Sequence, residues 1–377
     1  MKVKHLFAKI HLWMGLITFP IVFFVCITGT IIVFADEIIE LSAGKHRYVK
    51  EVRDEKVAIE TILDNLKREY PNRRIPSYMV AYRAPERSIR FNSYDPQKGL
   101  RMIYVDPYSG KILKDDGTIN FFYVTAHLHS SFMWHGPGEY IVDISIIVFI
   151  ILLITGLILW WPKTWSKKHL KGAFTIKWNV SFKRLNHNFH SVFGFYTLAL
   201  ALILGLTGLI IAFKPLAATT TDLLGGNSKT PWEATYPSFQ PEIKDNYPIN
   251  KIIEKTLNQF TDKDQLQIFT YFLSRESGII PVKATKNVNL KSTTELDFIV
   301  FNRYTGEKLD IGDEAVLTEQ IKNLFWTLHM GSWGLLGKII TFIGGLVISL
   351  MPLTGFYIWW QKHKASKRAK AKFSTIN

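Results

Sequence analysis

Long apolar stretches alternate along this chain with polar, charge-rich ones. Four mostly apolar runs, near 12–35, 139–162, 190–213 and 337–360, are each long enough to cross a bilayer, which takes about 20 such residues. Two of them end in paired tryptophans, Trp160-Trp161 and Trp359-Trp360, a side chain that anchors membrane helices at the interface. Four such runs predict four transmembrane helices rather than the buried helices of a soluble core. The polar stretches between them, 36–138 and 214–336, share a pattern of their own. In each, an amphipathic helical segment (56–70 and 249–260) precedes a strand, a turn and a second strand: IYVDPYSGKIL at 103–113 and FIVFNRYTGEKLD at 298–310. Gly110 and Gly306 fall in the turns, where positive φ is needed.

The resemblance between the halves extends to single positions. His11 and Gly15 recur as His190 and Gly194, 179 residues on, and Thr28-Gly29 recurs as Thr207-Gly208 at the same spacing. His129 precedes the second run as His329 precedes the fourth, 200 residues apart; Thr155-Gly156 and Thr354-Gly355 follow at 199. The expected fold class is therefore a mainly α membrane protein: four transmembrane helices as a duplicated 2+2 parallel repeat, with two small α/β units. The expected boundaries are 1–36 (first helix with its N-terminal segment), 37–126 (first α/β unit), 127–162 (second helix) and 163–189 (basic loop). Then come 190–213 (third helix), 214–325 (second α/β unit), 326–361 (fourth helix) and 362–377 (basic tail).

Charge sets the orientation. The net charge of +15 would suit nucleic acid if it were clustered on a soluble face, but its placement excludes that reading. Segments 1–11, 163–189 and 361–377 hold 16 of the 46 Lys and Arg, including Lys163, Lys168, Lys367, Arg368, Lys370 and Lys372, and none of the 31 Asp and Glu. This is the positive-inside pattern. It predicts cytoplasmic termini, a cytoplasmic 163–189 loop and 36–138 and 214–336 on the other side. Phe34-Ala35-Asp36-Glu37 is a poor cleavage site, so the first run reads as an uncleaved helix. The single cysteine, Cys26, provides no disulfide within the chain and no Cys-x-x-Cys-His for covalent haem attachment.

Topology then sorts the eleven histidines. His11 and His190 fall at the cytoplasmic edge, and His129 and His329 at the opposite one, each pair matched by the repeat. Two imidazoles are too few for a closed zinc site but fill the two axial positions of a haem iron, whose other four ligands come from the porphyrin. Gly15 and Gly194, one turn inward, leave room for a flat ring. His187, one turn before His190, and His127 are alternative ligands or second-sphere partners, as is His135. His5, His46, His169 and His363 read as solvated. Helix 1 from His11 onward spans about 36 Å at 1.5 Å per residue, so a haem near each face divides the membrane into two short electron-transfer steps. Asp143 lies about one turn into the second helix. Arg83, Arg87 and Arg90 offer either an anion-attracting patch or an exposed strand edge. Trp134, Trp326 and Trp333 lie close in sequence to His129 and His329 and suit interfacial anchors or pocket walls.

HLWMGL, LHSSF…TGLILWWPK, HSVFGF…TGLIIAF, LHMGSWG…TGFYIWW and YVDPYSGKIL together resemble the PepSY-associated transmembrane family over almost the whole chain. The resemblance implies a multi-pass protein of the bacterial inner membrane with periplasmic PepSY-like units. It implies two b-type haems at His11/His190 and His129/His329, and an oxidoreductase that reduces a periplasmic ferric-siderophore or other ferric chelate and releases Fe(II). No catalytic acid or base is expected, because outer-sphere reduction needs only an exposed haem edge and a docking surface. The chain has no Gly-x-Gly-x-x-Gly and no room for a flavin domain, so the donor is expected to be a separate cytoplasmic flavin/NAD(P)H reductase or membrane quinol. Membrane lipid is the other expected partner, and nucleic acid is not. The competing reading is non-enzymatic: an iron-uptake accessory or permease, or a PepSY-type peptidase-binding protein. It gives the paired histidines no role.

Overall fold

A computed structural model describes residues 2–74, 76–162, 164–228, 246–270 and 278–374. Lys163 lies outside the described residues, as do the side chains of Lys168, His169, Lys367, Arg368, Lys370 and Lys372. In chain order the helices are α1 (Lys2–Ile32), α2 (Ala35–Ala43), α3 (Ile59–Glu69), α4 (Thr118–Ser131), α5 (Pro137–Trp160), α6 (Lys167–Phe174), α7 (Phe182–Tyr196), α8 (Leu198–Ala212), α9 (Lys214–Leu223), α10 (Ile249–Gln259), α11 (Asp313–Met330) and α12 (Leu335–Ser374). The strands are β1 (Tyr78–Tyr82), β2 (Ile89–Asp95), β3 (Gly99–Val105), β4 (Ile112–Asp116), β5 (Gln265–Ile268), β6 (Ile279–Thr285), β7 (Asn287–Val288), β8 (Thr293–Thr294), β9 (Asp297–Asn302) and β10 (Lys308–Leu309). The chain forms two compact units. One is helical (residues 1–33, 125–213 and 334–377); the other holds the sheet (34–124 and 214–333).

In the helical unit, Val3–Ile32, Pro137–Trp160 and Leu335–Ser366 are each long and apolar enough to cross a membrane. The third expected helix is different. Phe182–Tyr196 and Leu198–Ala212 qualify only together, and they meet at 63°. The bend falls at Thr197, whose N–H and hydroxyl both donate to the Phe193 carbonyl, at 2.9 and 2.8 Å. Trp160 stacks on Phe195 beside the bend, centroids 3.9 Å apart. α1 packs against α5 and α12, with Phe19 stacked on Phe356 at 4.8 Å. Pro20 and Pro352 lie inside α1 and α12 without ending them.

α5 and α12 begin near the second and fourth apolar runs, and the expected 127–162 and 326–361 segments each open on the end of a separate helix. His129 ends α4, and a tight turn with Phe132 and Met133 at positive φ separates it from α5. His329 ends α11, which closes on left-handed Gly331 (φ 64°) before α12. At the other end, α1 starts well before His11 and α7 well before His190.

The sheet unit departs most from expectation. Its two stretches form one eight-stranded sheet, ordered β10-β9-β6-β5-β1-β2-β3-β4, instead of two small separate ones. β1 and β5 join antiparallel at the centre, with Met79 opposite Ile268 and Tyr82 opposite Gln265. α3 and α10 cover one face. Their apolar positions, Ile59, Ile62 and Leu66 on α3 and Ile249 and Ile252 on α10, sit at helical spacing and enter one core with Phe91, Ile103, Leu266 and Phe301. The predicted helices at 56–70 and 249–260 match α3 and α10. The predicted turns hold Gly110 at φ 68° and Gly306 at φ 67°.

Charged groups tie the sheet's edges. Arg73 is almost fully buried and bonds Asp95 at 2.9 Å and Asp115 at 2.6 Å, while Arg101 bonds Asp115 at 2.9 Å. Burial pushes the Asp116 carboxyl up, but Lys114, Thr118 and Ser42 outweigh it and bring the group down to about 2. Arg83, Arg87 and Arg90 are not a free anion-attracting patch. Arg83 donates to the Leu257, Phe260 and Lys263 carbonyls, and Arg87 and Arg90 donate to Glu40.

Candidate cofactor site

The helical unit brings His11 of α1 and His190 of α7 to one level, ring centroids 6.3 Å apart and planes at 81°. Two imidazole nitrogens facing each other across a metal at about 2.0–2.1 Å each, with about 1.2 Å from nitrogen to ring centre, would set the centroids about 6.4 Å apart. The observed spacing fits one shared metal. Each ring is fixed through Nδ1. His11 Nδ1 lies 3.0 Å from Thr155 Oγ1 of α5, and His190 Nδ1 lies 2.9 Å from Thr354 Oγ1 of α12. Among the described residues, no group of three or more His, Cys, Asp or Glu gathers to hold a metal ion. Among the described residues, the pair offers two imidazoles at this level.

His129 belongs to a second level. Its Nδ1 lies 2.8 Å from the Val25 carbonyl of α1 and 3.4 Å from Thr28 Oγ1. Val25 is 14 residues along α1 from His11, about 21 Å at 1.5 Å per residue. One helix thus spans two histidine sites.

A family model described as the PepSY-associated TM region matches residues 8–362. The chain belongs to the PepSY-associated TM region family. No curated protein matches it. Within this PepSY-associated chain, the remaining candidates fall in different places. His187 is exposed, one turn before His190 on α7. His127 packs edge-on against His135, centroids 5.7 Å apart, and His135 approaches Glu139 at 3.3 Å. His329 lies in the last turn of α11, in the sheet unit. A Cβ added at Gly194 would meet open space, whereas one at Gly15 would touch Leu152 of α5 at 3.8 Å. Gly194 has room beside it, and Gly15 serves a helix contact. Trp134 and Trp333 are exposed, and Lys291 lies over the Trp326 ring at 5.7 Å.

Sequence reading of this PepSY-associated protein missed Thr28, Thr155 and Thr354 as partners of the histidines. Their Thr-Gly pairs were visible as markers of the repeat. Nothing in the spacing says that a threonine on one helix meets a histidine on another.

Proposed function

We propose that this membrane protein is a b-type dihaem oxidoreductase that passes electrons across the bacterial inner membrane to a periplasmic ferric-siderophore or other ferric chelate, releasing Fe(II). The observation that carries this reading is the 6.3 Å spacing of His11 and His190, which suits two axial ligands of one haem iron. Haem, when bound, supplies a one-electron carrier whose reduction potential its axial ligands and surroundings set. His11 and His190 hold the first group, with His187 as the exposed neighbour. His129 is assigned to the second, with His127 as alternative and His329 as its counterpart in the sequence repeat. α1 fixes the separation of the two levels through His11 and its Val25–Gly29 stretch. The acid-free basic segments favour cytoplasmic termini, which places the His11 level near a cytoplasmic donor, either a flavin/NAD(P)H reductase or quinol. Reduction weakens the hold of hard oxygen ligands on iron, so the product leaves its chelator.

The absorption spectrum of the purified full-length chain tests this. Split b-type bands on dithionite reduction, at two haems per chain, are expected. His11→Ala or His190→Ala should each remove the same single haem, and His129→Ala the other. Mixing the reduced protein with ferric chelates should reoxidise it. A protein purified colourless from haem-replete cells would overturn the reading.

A further inference from the structure

Three histidines, on three different helices, meet their neighbours in the same way. Thr155 Oγ1 donates its only proton to its own helix, at the Ile151 and Leu152 carbonyls (2.9 and 3.1 Å). With that proton on the helix carbonyls, Oγ1 is left to accept from His11 Nδ1. Thr354 donates to the Met351 carbonyl at 2.9 Å and meets His190 Nδ1 in the same sense. Thr28 donates to the Phe24 and Val25 carbonyls, and His129 Nδ1 points at the Val25 carbonyl itself, an atom that cannot donate. Each ring also rests on the glycine after its threonine. A Cβ on Gly156 would come within 3.3 Å of His11 Cε1, one on Gly355 within 3.2 Å of His190 Cε1, and one on Gly29 within 2.7 Å of His129 Cε1.

We infer that each Thr-Gly pair is an imidazole seat. Its acceptor oxygens hold the proton on Nδ1, its glycine admits the ring edge, and Nε2 is left as the lone-pair nitrogen that binds metal. Thr28, Thr155 and Thr354 are positioning residues, acting through the histidines they orient. The inference rests on the haem reading for its purpose but not for its geometry. A neutral imidazole has two tautomers, and only the Nδ1–H form offers Nε2 to iron. Outer partners of this kind typically change metal affinity about 10–100-fold.

The test uses the full chain in lipid nanodiscs. Thr155→Val and Thr354→Val keep the shape and remove the hydroxyl acceptor, while Thr155→Ser and Thr354→Ser restore it. The valine variants should retain haem at the His11 level about 10–100-fold more weakly, with an altered low-spin EPR signature, and the serine variants should recover both. Separately, 15N NMR of histidine-labelled, haem-stripped chain should report Nδ1–H at His11, His190 and His129, assigned by single replacements. Nε2–H at His11 and His190, or valine variants that match the native chain in affinity and EPR, would overturn the seat. A native chain that never binds haem would overturn the haem reading alone, because the 15N pattern still decides the tautomer.

Discussion

Gly29→Ala probes one seat with little disturbance to anything else. The new methyl would stand 2.7 Å from His129 Cε1, against about 3.5–4.0 Å for carbons in contact. The ring must retreat by about 1 Å. Its Nδ1 is 2.8 Å from the Val25 carbonyl, and the same displacement stretches that bond beyond about 3.2 Å, where it weakens sharply. The lost bond is worth about 1 kcal/mol net. The fold should survive, because the atom that yields is the end of a side chain and not backbone. The ligand geometry at His129 should not survive. The assay is a reduced-minus-oxidised spectrum of the purified variant beside its thermal unfolding curve. The haem lost in His129→Ala should be lost or shifted in Gly29→Ala, and the haem lost in His11→Ala should be untouched. Gly172→Ala in α6, where a Cβ meets nothing within 4 Å, should change neither. A Gly29→Ala protein with the native two-haem spectrum would refute the reasoning.

Two further predictions concern the sheet unit, and one the helical unit. Arg73→Met leaves Asp95 to the Gln97 and Lys98 backbone N–H groups and Asp115 to Arg101. Losing both Arg73 pairings should read as a lower denaturant midpoint for the sheet with native haem content. Asp116 is held at about 2 when folded against about 3.9 unfolded. A depressed carboxyl stabilises above its unfolded value and loses that contribution as pH falls through the folded one. Stability of the native chain should therefore drop between about pH 4 and 2, and Asp116→Asn should flatten that part of the curve in an acid-unfolding series followed by tryptophan fluorescence. Asn186 donates to the Thr354 carbonyl at 3.0 Å, so Asn186→Ala should cost about 1 kcal/mol by thermal unfolding and loosen His190 more than His129.

Much of this was legible along the chain because it is local. Ile59, Ile62 and Leu66 reveal α3 by their spacing, and Ile249 and Ile252 reveal α10, since one helix face must carry the apolar side chains. Gly110 and Gly306 mark turns because the backbone there needs positive φ. The His11 and His190 pair was legible because the repeat put both at one depth. The rest depends on contacts between distant residues. The seam of β1 and β5 joins residues nearly 190 apart, and nothing in either strand identifies its partner. The bend at Thr197 hides in an unbroken apolar run, where hydropathy carries no mark of a change in helix direction. The seat of His11 is equally silent, because Thr155 reads as one more small residue in a membrane helix.

The central seam also governs how the polypeptide tolerates being cut. A break in the 163–189 loop would give two fragments, one ending its half-sheet at β1 and the other at β5. Each would carry a bare edge with unpaired N–H and C=O groups, the surface on which strands aggregate. The register that pairs Met79 with Ile268 and Tyr82 with Gln265 makes each fragment the template for the other. Co-expressed halves should reassemble by strand complementation, while either half alone is set to self-associate through the same edge.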